Sequence, residues 1–238
     1  GLAALWLVKR VCGRLTAWDV VVPLLFLTTS NAETYVVAPN LAHGPLPVLL
    51  LMLYALALTI PSHPQRCLAI VVLNFFCVNT GFTLLLGGIT PVVLFVFLCS
   101  PGLQRRERAI YGVGIAIAIA TVMLFLVGFV PQTATNCFQF PHPRPWEYLS
   151  YAGFVLGRPF GIQASTSTPH LFVGAVITTG MAAFVAYSVF RLIRMREESA
   201  LWAVTSSLAG LTMLFALTTA VGRICLGFDS ALASRYIP

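Results

Sequence analysis

Acidic residues are nearly missing: seven Asp and Glu in 238 residues, with all charged types together at 9%. A soluble domain is about 25% charged, so a water-soluble globular fold is excluded. Metal and cofactor signatures are missing too. The six cysteines, Cys12, Cys67, Cys77, Cys99, Cys137 and Cys225, form no CxxC pair, which excludes the usual zinc and haem-attachment patterns. The histidines show neither HxxxH nor HExxH spacing, and His43 and His170 stand alone. The glycines at 80–88, "TGFTLLLGG", lack the Lys-Ser/Thr of a phosphate loop. No cofactor is expected. No signal peptide with a cleavage site is expected.

What is present is apolar sequence. Hydrophobic residues make up 58% of the chain and the mean hydropathy is +0.90. Runs of this kind read as membrane spans of about 20 residues. We place seven: about 15–29 (interrupted by Pro23), 45–61, 67–79, 82–99, 109–130, 170–190 and 200–221. The third and fourth, joined by "NTG", are expected to form a tight hairpin. The expected fold is an all-α polytopic transmembrane helix bundle, forming one integral membrane domain over 1–238. Residues 1–8, "GLAALWLV", read as the end of a further span, and another is expected beyond Pro238, so the chain reads as a segment of a longer one.

The net charge of +7 does not indicate nucleic acid, because the basic residues sit in short clusters between apolar runs. Ten fall in alternate loops: Lys9, Arg10 and Arg14; Arg66; Arg105, Arg106 and Arg108; Arg191, Arg194 and Arg196. The opposite loops are longer and hold four: Arg144, Arg158, Arg223 and Arg235. The positive-inside rule makes the first set cytoplasmic. Those inner loops, such as "SHPQR", read as turns carrying topology charges and nothing more. Cys137 and Cys225 then share the outer side, where an oxidising compartment permits a disulfide; the alternative is that all six cysteines are small buried hydrophobes.

Chemistry-bearing side chains inside the spans are few. Asp19 lies near an inner span end and either pairs with Arg14 or caps the helix start. Asn74 is the main polar residue of the third span. This scarcity argues against a proton-coupled pump, and a transporter would need a polar path reaching Asn74. The outer side is richer: Glu33, His43, His142, Arg144, Glu147, Arg158, His170, Arg223, Asp229 and Arg235. In its longest loop, "RPWEYLSYAGFVLG" predicts a short helix. Pro145 suits a helix start, Glu147 complements the dipole in the first turn, and Gly157 suits the end. Its broad apolar face predicts an interfacial setting with Trp146 at headgroup level. It reads either as an anchor without chemistry or as the wall of a lipid-facing site, with His142, Arg144 and Glu147 looking in. Glu33 and Glu147 are the candidate general bases. Arg223, Arg235, Arg144 and Arg158 are the candidate lipid- and phosphate-binding residues, since guanidinium forks match phosphate oxygens; the alternative for Arg223 and Arg235 is a topological role, snorkelling to headgroups with Asp229 neutralising one of them.

"GRICLGFDSALASRY" at 222–236 resembles a segment of large bacterial multi-spanning membrane proteins, with Gly-Arg, a Gly-containing stretch and then Ala-x-x-Ser-Arg-Tyr. "PWEYLSYAGFVLGRPFG" and "NTGFTLLLGGITPVVLF" fit the same resemblance, which covers much of the chain. Some of those proteins are similar to polyprenyl-phosphate-sugar glycosyltransferases of the GT-C class. Such enzymes place an acidic pair in the first outer loop, where "SNAETYVVAPNLAHG" supplies Glu33 alone. The resemblance implies a multi-pass protein of the bacterial cytoplasmic membrane, with its basic loops in the cytoplasm. It also implies binding or transfer of a lipid-linked glycan at the outer face. The partners expected are membrane lipids and a polyprenyl-phosphate-linked sugar. The other reading is a non-catalytic transmembrane subunit, whose partners are further membrane subunits.

Overall fold

The computed structural model describes residues 2–21, 45–80, 84–100, 102–127, 142–157, 167–194 and 199–232. Every regular element among them is helical. The α-helices are α1 (Leu2–Cys12), α2 (Pro45–Leu58), α3 (His63–Asn79), α4 (Leu84–Leu98), α5 (Arg105–Leu126), α6 (Trp146–Gly157), α7 (Thr168–Arg194) and α8 (Ser199–Arg223). Short 3-10 turns cover Ala17–Val20, Ile224–Leu226 and Phe228–Leu232.

Among the described residues, three helices are long and apolar enough to cross a membrane: Arg105–Leu126, Pro169–Arg194 and Ala200–Leu226. At 1.5 Å per residue the first of these reaches about 33 Å, against a hydrocarbon core of about 30 Å. The earlier apolar runs form helices of 14, 17 and 15 residues, each below the length of a straight span. Proline sets several of those limits. α2 ends shortly before Pro61, and Pro64 sits in the first turn of α3. α4 carries Pro91 internally and ends shortly before Pro101. Proline disfavours helical geometry in the residue before it, so such positions punctuate helices. The run expected at 15–29 lies mostly outside the described residues. Its start is the Ala17–Val20 turn, where Asp19 takes the capping role: Thr16 donates to Oδ2 of Asp19 through both its backbone N–H and its hydroxyl.

The chain divides into two compact units. The first comprises residues 1–129 with 198–207. Here α3 packs against α2, α4 and α5. Its buried residues Cys67, Ile70, Asn74, Cys77 and Val78 recur at three- and four-residue spacing, the stripe of one helical face. The hairpin expected at "NTG" is present, as α3 and α4 pack together. The turn before α3 is more than a place for topology charge. Arg66 donates from Nε to the Ile60 carbonyl at 2.7 Å, and its guanidinium lies 4.7 Å from the Phe97 ring centre. Phe97 stacks on Tyr111, whose hydroxyl is 3.1 Å from Nδ1 of His63. An arginine read only as a topology marker therefore ties three helices at one end of the bundle.

The second unit comprises residues 130–197 with 208–238. It is built on α6 against α7, with the later part of α8 and the two 3-10 turns that follow. Its core is Tyr151, Phe154, Val155, Ala216, Ala220, Phe228 and Ala231.

Candidate functional site

The predicted outer-loop helix forms as α6, and the local sequence accounts for its start. Proline at 143 and 145 denies those positions a backbone donor. The chain closes with tight bonds instead, from Glu147 N–H to the Arg144 carbonyl (3.0 Å) and from Tyr148 N–H to the Pro145 carbonyl (3.2 Å). Tyr148 reaches back: its hydroxyl accepts the His142 N–H at 3.0 Å, and the two rings meet edge to face at 5.7 Å. Arg144 N–H is 3.2 Å from Nδ1 of His142, which accepts it when Nδ1 carries no hydrogen.

This folding brings together the three ionisable residues assigned to the loop. Glu147 is buried, as a carboxylate can be only with partners. Nε of Arg144 donates to its Oε1 at 3.0 Å, and Nδ1 of His142 lies 3.8 Å from Oε2. The two sides of the pair differ in setting. The Glu147 side chain is 8% exposed and that of Arg144 is 64% exposed. The guanidinium is thus paired through Nε on a side chain that stays largely exposed. The carboxylate at the first turn also complements the helix dipole. The chemical result is a cation held in a fixed orientation from behind, a geometry suited to phosphate recognition.

The setting of α6 departs from a surface-lying helix. Trp146 and Leu149 are exposed, but every residue from Ser150 to Gly157 is buried. The apolar face expected to rest on headgroups is packed against protein. The reason lies in small residues. Gly153 and Gly174 bring the α6 and α7 backbones into direct contact, so that a methyl group on Gly153 would overlap the Gly174 carbonyl. Two bonds stitch the same crossing: the Ser150 hydroxyl donates to the Leu171 carbonyl and the Thr178 hydroxyl to the Leu149 carbonyl, both at 2.8 Å. Small residues with interhelical hydrogen bonds are the usual means of helix association in apolar surroundings.

The other side of α6 is covered by the "GRICLGFDSAL" stretch. Gly227 turns the chain at φ +86°, a conformation open to glycine. Phe228 then meets Phe154 nearly perpendicular at 5.6 Å and Tyr151 at 6.0 Å. The Tyr151 hydroxyl and the Ser230 hydroxyl are 2.7 Å apart, and Ser230 Oγ is also 2.7 Å from the Gly227 carbonyl. Donation from Tyr151 to Ser230 and from Ser230 to Gly227 satisfies both. Arg223 is half-buried at the end of α8. Glu33, His43, Arg158 and Arg235 lie outside the described residues, so an arginine pair at 223 and 235 stays an expectation from sequence. His170 bonds locally, with Nδ1 2.6 Å from the Ser167 hydroxyl.

Sequence reasoning missed Tyr151, Phe228 and Ser230 as a linked set. Tyr151 and Ser230 are 79 positions apart, and neither residue type is distinctive. Cys225 is disulfide-bonded, while Cys12, Cys67, Cys77 and Cys99 are not in disulfides; Cys137 lies outside the described residues. Among the described residues no group of three or more His, Cys, Asp and Glu side chains converges to hold a metal ion. Comparisons with protein-family models, curated proteins and solved structures return no match to this chain.

Proposed function

We propose that the chain is a multi-pass protein of the bacterial cell envelope that binds a phosphate-bearing lipid, a polyprenyl-phosphate-linked glycan, at its outer face. The observation that carries this reading is Arg144, largely exposed and oriented through Nε by a buried glutamate at the first turn of α6. Glu147 is a positioning residue in this scheme. Trp146, exposed beside it, suits headgroup depth.

Binding of a polyprenyl phosphate to the purified protein, followed by native mass spectrometry, tests this. Arg144→Ala is expected to weaken binding about tenfold, the equivalent of ~1.4 kcal/mol, and Arg144→Lys less. Equal binding by the wild type and Arg144→Ala ends the proposal. Co-purification of the wild type with a fixed set of membrane proteins, without lipid binding, favours the subunit reading instead.

The proposed topology has seven passages, the short apolar helices included, with the basic loops in the cytoplasm. The cysteines support it. Cys225 is disulfide-bonded on the side proposed as outer, while Cys12, Cys67 and Cys99, beside the basic loops, are free thiols. Cys12 and Cys99 are exposed. A membrane-impermeant maleimide is therefore expected to label them only in opened or inverted membranes. Labelling of either in intact cells reverses the orientation.

A further inference from the structure

Asn74 is fully buried in the first unit, and neither Nδ2 nor Oδ1 of its amide has a hydrogen-bond partner. An amide left so in apolar surroundings is strongly unfavourable, and native interiors resolve such cases with protein or ordered water. Its neighbours follow from the register of three helices. A methyl on Gly114 of α5 would meet Cys67 and Val71 of α3 and Leu94 of α4; one on Gly87 of α4 would meet Val78 of α3 and Val122 of α5. Residues 71, 94 and 114 thus share one level and 78, 87 and 122 another. Midway between them stand Asn74, Thr90 with Pro91, and Ala118. Asn74, Thr90 and Ala118 are all fully buried. α2 supplies Tyr54, also fully buried, through the 3.0 Å contact of its hydroxyl with that of Thr90.

The hydrogens at this level can be counted. Thr90 Oγ1 donates to the Leu86 carbonyl at 2.8 Å, so Tyr54 must donate to Thr90. The Tyr54 oxygen keeps its lone pairs. Pro91 has no N–H to give the carbonyl of Gly87, which is buried one turn away. The layer thus offers the two Nδ2 hydrogens of Asn74 and, as acceptors, Asn74 Oδ1, the Tyr54 oxygen and the Gly87 carbonyl. It includes no charged side chain, so an inorganic ion would be left uncompensated. We propose that this layer binds a small uncharged hydrogen-bonding molecule, water, which accepts from Asn74 Nδ2 and donates to the acceptors around it. Ala118 is the smallest side chain of the layer. The bundle interior then holds a hydrated polar layer within an otherwise apolar helix set.

Water-edited solid-state NMR of the protein in phospholipid vesicles, 15N-labelled at asparagine, reads this directly. The Asn74 side-chain amide is expected to receive magnetisation from water as rapidly as that of Asn79, which is exposed and bonded to the Phe75 carbonyl. The signal is assigned by its loss in Asn74→Leu or, where that variant fails to accumulate, in Asn74→Gln, which keeps an amide but carries no asparagine label. An Asn74 signal that stays dark while Asn79 responds overturns the proposal. So does an Asn74 signal whose transfer is unchanged in Tyr54→Phe/Thr90→Val, which removes both hydroxyls of the layer.

Discussion

Gly153→Leu is expected to abolish accumulation of folded protein, and even Gly153→Ala to lower its melting temperature sharply. The Cβ built on Gly153 falls on the Gly174 carbonyl, and one built on Gly174 falls on Ser150 backbone atoms. Backbone atoms cannot rotate aside as the end of a side chain can. α6 and α7 would have to move apart, losing the bonds from Ser150 to Leu171 and from Thr178 to Leu149. Overpacking alone costs about 1–3 kcal/mol and sometimes more. Each interhelical bond adds roughly 0.6–2 kcal/mol. A total of ~3–5 kcal/mol is a large share of a stability of about 5–15 kcal/mol. Gly180→Ala, on α7, is the control. A Cβ there meets nothing within 4 Å, so this change is expected to be neutral or stabilising by up to ~1 kcal/mol. Heating purified variants in mild detergent and following the monodisperse fraction gives the comparison. A Gly153→Ala protein melting with the wild type would show that the two helices do not meet as described.

The crossing also marks the limit of what the sequence displays. Composition and apolar runs locate the helices well: the run expected at 109–130 is the helix Arg105–Leu126, and the loop helix expected from Pro145, Glu147 and Gly157 is Trp146–Gly157. Those signals are local, resting on hydropathy over a few turns and on end chemistry. Asp19 and Glu107 cap through residues three positions away, again a local pattern. The pairing of Gly153 with Gly174 is not local. In helices apolar on every side, hydropathy does not distinguish the face that meets protein from the face that meets lipid. The same ambiguity made α6 look like a surface helix, because an apolar face reads alike whether headgroups or a neighbouring helix cover it. Arg66 was legible as a charge but not as the residue stacked on Phe97, a partner 31 positions away in another helix. Within the candidate site, the proximity of His142, Arg144 and Glu147 followed from sequence spacing. That Glu147 would be the buried partner and Arg144 the exposed one did not.

Phe228→Ala is expected to have the second-largest effect, and its consequences separate two roles for the "GRICLGFDSAL" stretch. Phe228 is buried against Tyr151 and Phe154, with its ring nearly perpendicular to that of Phe154. Truncating a buried Phe to Ala costs about 3–5 kcal/mol in soluble cores. Beside a membrane, part of the transfer contribution is absent because lipid is also apolar, so ~2–3 kcal/mol is expected, from lost packing and aromatic contact. Tyr151→Phe removes only the hydroxyl facing Ser230 and is expected to cost about 1 kcal/mol. The two changes act on one contact, so together they should fall short of their sum. α6 is held by α7 on one side and by this stretch on the other, and Arg144 stands at its start. Loosening the stretch should therefore weaken the proposed lipid-phosphate binding only together with the fall in melting temperature. Were the stretch itself the ligand site, Phe228→Ala would lower binding while the protein melted as the wild type does. The packing of Phe228, Ala231 and Ser230 against α6 argues for the mechanical role.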